Sequence, residues 1–297
     1  MNQNKKEITI AVCGPVDAGK SSLIGVITSG DLDNGRGIAR NKILKHKHEI
    51  DSGQTSNITI NPIKYITTDS NVNLVATKTK KTDEKTIKQI EIEEKYINKD
   101  ITEKVISFID LAGHQKYLKT TVFGVASMFP DRGIVVIGAN TGITRLTREH
   151  LGILLYLKIP FIITITKIDL APTEIYKKLC NRIKNLLMKN SFGKIIYFIS
   201  DSDKRDNETK YYLDNMIINP EVIPVISISN KLGTNINNLH KIIYSLPNIP
   251  KWNEREINGT IVYLDSNYNV PGTGLIVSGT IKGKPIKVKQ KMFLGPF

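Results

Sequence analysis

The sequence predicts an α/β fold, in which a mostly parallel sheet carries helices on both faces, followed by the start of an all-β barrel. Short apolar runs alternate with segments of helical periodicity as far as Leu246, which is typical of a parallel sheet covered by helices. After Leu246, short β-type runs are separated by Gly and Pro turns. A hydrophobic content of 40% and a charged content of 24% exclude disordered, collagen-like and coiled-coil chains.

Ten segments carry the first part of this prediction. The predicted strands are Ile8–Cys13, Lys104–Ile109, Gly133–Ile137, Phe161–Thr166 and Val222–Ile226. The predicted helices are Ser21–Thr28, Leu118–Met128, Arg145–Leu157, Glu174–Met188 and Ile236–Leu246. The longest apolar stretch, residues 151–166, is interrupted by Lys158 and Pro160, so it predicts a helix followed by a buried strand rather than a membrane span.

Two regions depart from this alternation. A stretch rich in Lys, Thr and Glu between residues 67 and 100 predicts an exposed insertion, part loop and part charged helix. Residues 248–257 predict a linker, and residues 258–297 a partial β-barrel with runs at Thr260–Leu264, Leu275–Ile281, Ile286–Val288 and Met292–Leu294. Since roughly 40 residues are too few for a closed barrel, we expect a truncated barrel or one that borrows strands.

The charge and the cysteine content restrict partners and compartment. With 42 Lys and Arg against 28 Asp and Glu, the net charge is +14, which permits attraction to a polyanion such as RNA. Ile, Lys and Asn are over-used throughout, so the alternative is that most lysines are simply solvated surface. Two cysteines cannot form a disulfide framework, and the apolar run after the polar N-terminus is short for a signal peptide, so we expect a cytoplasmic protein.

Residues Gly14–Ser21 have the spacing of a phosphate-binding loop, G-P-V-D-A-G-K-S, between a predicted strand and a predicted helix. The glycines let backbone N–H groups surround phosphates, and the start of the helix adds positive potential. Lys20 is expected to reach the β- and γ-phosphates, and the Ser21 hydroxyl to bind Mg²⁺. Pro15 removes one N–H, but it lies before the part of the loop that wraps the phosphates.

Two further motifs follow predicted strands. Asp110 to Gly113 form a D-x-x-G arrangement, in which the carboxylate can hold Mg²⁺ through water and the glycine lets the backbone approach a γ-phosphate. Residues 166–169 read T-K-I-D, and Asp169 can accept two hydrogen bonds from the N1–H and the exocyclic amine of guanine. Adenine has no such donor pair, so GTP is preferred over ATP. Residues 229–231, S-N-K, are a weaker motif that could close over the base with a backbone amide.

In this order the motifs resemble those of translational GTPases related to elongation factors Tu and 1A. More narrowly, five segments resemble the GTP-binding protein 1 and 2 subfamily: residues 16–21, 30–40 (G-D-L-D-N-G-R-G-I-A-R), 46–56 (H-K-H-E-I-D-S-G-Q-T-S), 108–124 and 270–280. Elongation factors usually carry D-C-P-G-H where this chain has Leu111 and Ala112, and N-K-x-D where it has Thr166. Both departures are shared with the subfamily.

The resemblance implies a P-loop GTPase domain over residues 1–247 and a set of functional residues. Thr55 matches the threonine of the first switch, which meets Mg²⁺ and γ-phosphate; His114 matches the histidine that positions the attacking water; Asp17 matches an aspartate near the metal. We therefore expect His114, Lys20 and Thr55 to be catalytic, with Ser21, Thr55 and Asp110 (through water) at the metal. The expected nucleotide-binding residues are Gly14, Asp17, Ala18, Gly19, Lys20, Ser21, Ser22, Asp110, Gly113, Thr166, Lys167, Asp169, Ser229, Asn230 and Lys231.

The predicted function is GTP hydrolysis that acts as a molecular switch, with Mg²⁺ as cofactor. The resemblance implies a role in translation or mRNA surveillance, with the ribosome, tRNA or the mRNA-decay machinery as partners, no membrane, and a monomeric state. Three alternatives stay open: a GTP-binding regulator or decoy with little turnover, an ATP-using phosphotransferase, and a basic RNA-binding module with a vestigial nucleotide site.

A few side chains have competing interpretations. His46 and His48 could form a metal pair but lack further ligands nearby, and Cys13 is expected to be buried and inert. Contacts to RNA phosphates are an option for two lysine clusters, Lys78, Lys80, Lys81, Lys85 and Lys88 in the insertion, and Lys282, Lys284, Lys287, Lys289 and Lys291 in the barrel fragment.

Overall fold

The computed structural model describes residues 5–44, 49, 58–67, 72–75, 87–90, 103–188, 193–199, 221–246 and 260–295. The strands are β1 Lys5–Cys13, β2 Thr59–Thr67, β3 Val72–Val75, β4 Ile87–Ile90, β5 Glu103–Asp110, β6 Arg132–Gly138, β7 Phe161–Thr166, β8 Ile195–Phe198, β9 Val222–Ser227, β10 Thr260–Val270 and β11 Gly274–Gly283. The helices are α1 Lys20–Ser29, α2 Ile38–Asn41, α3 Leu118–Met128, α4 Arg145–Tyr156, α5 Thr173–Met188 and α6 Ile236–Ser245.

The described strands β1 to β9 form one sheet in the order β4-β3-β2-β5-β1-β6-β7-β9-β8. The six strands from β5 to β8 in this order pair in parallel, which confirms the mostly parallel α/β prediction. Every residue of β6 and β7 is buried. Strands buried on both faces require a helical layer on each side of the sheet.

The two helical layers bury opposite faces of β1. Ile10 and Val12 belong to a core cluster that includes residues of α1 and α6, whereas Ala11 and Cys13 belong to a second cluster with residues of α4 and α5. This division follows from the twofold alternation of side chains along a strand. Burial raises the pKa of the Cys13 thiol to about 12, so the thiol is protonated at neutral pH, which agrees with the expectation that it is inert.

The insertion near residues 67–100 is not a charged helix where the structure describes it. Strands β3 and β4 lie there instead, and with β2 they extend the sheet in antiparallel pairing from β5. The physical reason is the alternation of apolar and polar residues in β3, where Val72 and Leu74 are buried in the same core as Tyr65 of β2. The lysine-rich composition of the whole insertion hides this short alternating pattern. Most of the insertion, including Lys78 to Lys85, lies outside the described residues.

The C-terminal region contains an antiparallel hairpin of β10 and β11, with a register shift between Leu264 and Ser266. Both strands are longer than predicted, whereas the predicted runs Ile286–Val288 and Met292–Leu294 are not strands. No other strand pairs with this hairpin in the described part of the chain, so those runs have no ladder to join. The hairpin contacts the end of α3, where the rings of Phe129 and Tyr263 lie 5.4 Å apart.

None of the helices in the described ranges is long and apolar enough to span a membrane. The predicted linker, residues 248–257, lies outside the described residues.

Candidate functional site

The predicted phosphate-binding loop connects β1 to α1. Gly14 has a φ of 149°, and a side chain there would overlap the carbonyl group of Val136 on the neighbouring strand β6. Asp17 and Gly19 also have positive φ, at 60° and 87°. Because Gly19 precedes the first residue of α1 and has no side chain with which to cap it, the N–H groups of the first turn stay available to an anionic ligand.

Lys20 is held inside this loop. Lys20 is 7% exposed, and its Nζ donates a hydrogen bond to the Pro15 carbonyl at 3.0 Å. Burial lowers the pKa of Lys20, and the nearby Asp110 carboxylate partly opposes this. A buried ammonium group gains from an anionic ligand placed against it, and the structure therefore favours phosphate at this point.

Ser21 and Asp110 lie side by side next to Lys20. The Ser21 hydroxyl donates to Asp110 Oδ2 at 2.7 Å, although 89 residues separate the two in sequence. Asp110 is the last residue of β5 and is fully buried, and its position in the register is opposite Val12 at the end of β1. A hydroxyl and a carboxylate are oxygen ligands of the kind Mg²⁺ prefers, so this pair fits the predicted metal. Thr55, the third predicted ligand, lies outside the described residues, as do His46 and His48.

Gly113 and His114 approach the loop from the end of β5. A Cβ on Gly113 would overlap Lys20 Nζ and would lie 3.0 Å from the Pro15 carbonyl oxygen, so a side chain here would force Lys20 Nζ out of its position. The His114 ring lies on the wall of the cavity that contains Lys20. Its Nδ1 accepts a hydrogen bond from the Lys116 backbone N–H at 3.2 Å, which fixes the orientation of the ring.

The predicted base-recognition residues meet at the far side of the phosphate-binding loop. The Thr166 hydroxyl donates to the Ala18 carbonyl at 2.6 Å, which joins the T-K-I-D segment to the loop. The Ser229 hydroxyl donates to Asp169 Oδ1, also at 2.6 Å, and thereby orients the carboxylate. Asp169 itself is exposed to the cavity, while Ser229 is fully buried behind it.

These segments surround one cavity of about 460 Å³. The predicted residues on its wall are Asp17, Gly19, Lys20, Ser21, Ser22, Gly113, His114, Lys167, Asp169, Asn230 and Lys231. Gly14, Ala18, Asp110, Thr166 and Ser229 are not on the wall. Asp110 and Ser229 hydrogen-bond to the wall residues Ser21 and Asp169, whereas Thr166 bonds to Ala18 within the loop and Gly14 lies against Val136 of β6. The predicted site is therefore brought together in space by the carboxyl ends of β1, β5 and β7 and by the segment that follows β9, as parallel sheets do.

Sequence reasoning missed one wall of the cavity, which residues 33–40 provide. The Asp33 carboxylate accepts hydrogen bonds from the N–H groups of Gly35, Gly37 and Ala39, at 3.1, 3.3 and 2.9 Å, and so holds the segment in a tight turn. This turn places Arg36 and Arg40 on the cavity wall. The signal was present in the resemblance over residues 30–40, but nothing in that segment indicated which side chains reach the site.

The electrostatics of the cavity suit an anionic ligand with a polar ring. The positive side chains on the wall are Lys20, Arg36, Arg40, Lys167 and Lys231, and the negative ones are Asp17, Asp33 and Asp169. The buried lysine lies in the phosphate-binding loop, whereas the oriented carboxylate of Asp169 lies beyond it. Fold and site together define a P-loop nucleotide-binding protein.

Comparison with known proteins narrows this class. Residues 5–248 match the model of the elongation factor Tu GTP binding domain, so the chain belongs to this family of translational GTPases. It is 37% identical over 292 residues to GTP-binding protein 1 of Xenopus laevis, covering 98% of this chain and 42% of that protein. It is 34% identical over 298 residues to GTP-binding protein 2 of Homo sapiens, covering 99% of this chain and 46% of that protein. The chain thus spans less than half the length of these relatives.

Solved structures agree on the fold. Translation elongation factor SelB from Methanococcus maripaludis, in complex with the GTP analogue GppNHp, superposes with a TM-score of 0.54 at 22% sequence identity, covering 95% of this chain and 42% of that one. Its apo form gives a TM-score of 0.53. The predicted resemblance to translational GTPases, and to the GTP-binding protein 1 and 2 subfamily, is confirmed.

Proposed function

We propose that this protein binds GTP and hydrolyses it to GDP and phosphate with Mg²⁺, and that hydrolysis acts as a molecular switch. The observation that supports this most is the convergence of a buried lysine, an oriented carboxylate and the Ser21–Asp110 pair on one cavity. Each serves a different part of the nucleotide: phosphate, base and metal. The supported ligand is therefore a guanine nucleotide.

Base selection is assigned to Asp169. Guanine presents two adjacent donors, N1–H and the exocyclic amine, and a carboxylate offers only acceptors. The Ser229 hydroxyl occupies one Asp169 oxygen at 2.6 Å and fixes the plane of the group. Adenine presents an acceptor at N1 toward the same position, so its lone pair would face a negative charge. GTP is thus expected to bind in preference to ATP.

Phosphate and metal are assigned to the loop and its neighbours. Lys20 would turn from the Pro15 carbonyl to the β- and γ-phosphates, while the N–H groups that begin α1 bind the phosphate oxygens. Ser21, Asp110 and Thr55 would hold Mg²⁺, which when bound neutralises charge that develops on the phosphates. Asp17 also lies on the cavity wall and would be close to the bound Mg²⁺.

His114 is assigned to the attacking water. Because Nδ1 accepts the Lys116 N–H, the neutral ring carries its proton on Nε2. The ring would then orient water by donating from Nε2 rather than by accepting a proton. Loss of the ring should therefore slow phosphate release without weakening GTP binding.

The switch would consist of the segment around Thr55 and the segment from Asp110 into α3. The γ-phosphate would order both segments, and its loss would release them. Residues 1–247 would form the GTPase domain, 248–257 a linker and 258–297 part of a β-barrel. Relatives include translation factors, for example the selenocysteine-specific elongation factor of Methanocaldococcus jannaschii, so we infer a cytoplasmic, monomeric protein that acts in translation or mRNA surveillance with ribosome, tRNA or decay factors.

The test is phosphate release from GTP by wild type and His114→Ala, with and without ribosomes, after GTP, GDP and ATP affinities are measured with Mg²⁺. Lys116→Ala is the matched control, since it keeps the backbone N–H that Lys116 donates to His114. We expect GTP binding by both variants and release that depends on His114. Tight GTP binding with no release under any condition would favour the regulator or decoy, and an absence of nucleotide binding would favour the RNA-binding module.

A further inference from the structure

Thr166 has no hydrogen available for a nucleotide. Its hydroxyl carries one proton, and it donates this proton to the Ala18 carbonyl at 2.6 Å. The N-K-x-D pattern places an asparagine here, whose amide has two N–H groups. The base-recognition wall of this chain therefore lacks a side-chain donor at position 166.

Asn230 provides a carboxamide near the same part of the phosphate-binding loop. It lies on the cavity wall, and its Nδ2 is 3.8 Å from the point that a Cβ on Gly19 would occupy, beside the Thr166 hydroxyl, which is 3.6 Å from that point. The Asn230 Oδ1 atom is buried and has no hydrogen-bond partner among the residues that the structure describes. A buried acceptor without a partner is costly, so hydrogen bonds from the described residues do not hold this amide through its oxygen, and a ligand can determine which way the amide points.

The backbone around Asn230 is fixed from two sides. Its carbonyl accepts a hydrogen bond from the Asp33 N–H at 2.9 Å, and the Gly233 N–H donates to the Ser229 carbonyl at 2.9 Å. The side chain is thus presented to the cavity by a closed turn rather than by a loose loop. Its terminal torsion is broad and roughly twofold, so rotation about it can bring the NH₂ group toward the cavity.

We propose that the Asn230 carboxamide donates a hydrogen bond to N7 of the guanine ring and so supplies the donor that Thr166 lacks. This assignment rests on the proposed function. Asp169 takes the edge of guanine that carries donors, which leaves Asn230 the opposite edge, where N7 and O6 are acceptors. An NH₂ group matches that edge, whereas a threonine hydroxyl already committed to Ala18 does not.

The test is a titration of wild type, Asn230→Ala and Asn238→Ala with GDP, 7-deaza-GDP and 2′-deoxy-GDP in the presence of Mg²⁺. In 7-deaza-GDP a C–H replaces N7. We expect Asn230→Ala to bind GDP about two- to tenfold more weakly than wild type, as for loss of one neutral hydrogen bond. Wild type should lose the same factor with 7-deaza-GDP, and the variant should lose nothing further. Asn238 is on α6 and not on the cavity wall, so its variant should behave as wild type.

A second variant tests the replacement itself. Thr166→Asn restores an amide at position 166, so it should recover GDP affinity when combined with Asn230→Ala. If Asn230→Ala weakens GDP and 7-deaza-GDP by the same factor, each relative to wild type with that ligand, the N7 contact is overturned. A variant that differs from wild type only in its response to 2′-deoxy-GDP would also overturn it and would indicate the ribose. Thermal unfolding of each variant shows whether the fold is kept. Failure of wild type to bind any guanine nucleotide would overturn the proposed function together with this assignment.

Discussion

Ser229→Ala tests base recognition separately from phosphate binding. Ser229 is fully buried; its hydroxyl donates to Asp169 Oδ1 at 2.6 Å and accepts from the Leu232 N–H at 3.0 Å. The variant keeps the phosphate-binding loop intact but leaves the Asp169 carboxylate free to rotate away from the base. A hydrogen bond to a charged group contributes about 1.5–3 kcal/mol, so we expect GTP affinity to fall by about 10- to 150-fold.

Displacement of a fluorescent guanine nucleotide, followed by competition with ATP, measures this effect. ATP affinity should stay as in wild type, because ATP does not use the Asp169 contact. Ser227→Ala is the matched control, since the Ser227 hydroxyl is bonded to Tyr176 at 2.8 Å and does not lie on the cavity wall. Wild-type GTP affinity in Ser229→Ala, or an equal loss of GTP and ATP affinity, would refute the assignment of Asp169 and Ser229 to the base.

Two further changes test the loop and the core. Gly113→Ala should lower the affinities for GTP and ATP alike by about tenfold or more, because its methyl group overlaps Lys20 Nζ. Gly152→Ala is the control, since a Cβ there meets nothing within 4 Å. Equal nucleotide affinities of the two variants would contradict the packing argument. Burial lowers the pKa of His240 from 6.5 to about 4, so the unfolded chain binds more protons between these values and stability falls as pH falls from 6.5 toward 4. Denaturant unfolding at pH 7 and pH 5 measures how far the free energy of unfolding decreases between these two values. This decrease should be about 2 kcal/mol smaller in His240→Gln than in wild type, and an equal decrease in both would contradict the burial argument.

The central sheet and the order of the motifs could be predicted because both depend on local patterns. Strands β1, β5, β6, β7 and β9 each contain a short, mostly apolar run, and the phosphate-binding loop is a continuous segment of fixed spacing. Asp110 and Asp169 were assigned from motifs that follow predicted strands, and they meet the loop because the carboxyl ends of parallel strands share one edge. Motif spacing and the family resemblance therefore carried most of the prediction of the site, and the alternation of strands and helices carried the prediction of the sheet.

The rest depends on contacts that no local pattern encodes. Strands β3 and β4 are four residues each, and their pairing is decided by β2, which itself contains Pro62. Arg36 and Arg40 reach the cavity only because the Asp33 carboxylate closes a turn, and Asn230 reaches it only because of the turn that follows Ser229. The two arginines reach the cavity through tertiary structure, so their sequence positions alone did not indicate their place, whereas Asn230 was predicted from the S-N-K motif.

The measurement that tests the central claim most directly is a competition among GTP, ATP and xanthosine triphosphate for wild type and Asp169→Asn. Xanthine keeps the N1–H of guanine but has an oxygen in place of the exocyclic amine, so an asparagine can accept from one and donate to the other. Wild type should prefer GTP, and Asp169→Asn should prefer xanthosine triphosphate with little change for ATP. A wild type that binds ATP as well as GTP, or an Asp169→Asn variant that keeps its preference for GTP, would contradict guanine recognition at this site.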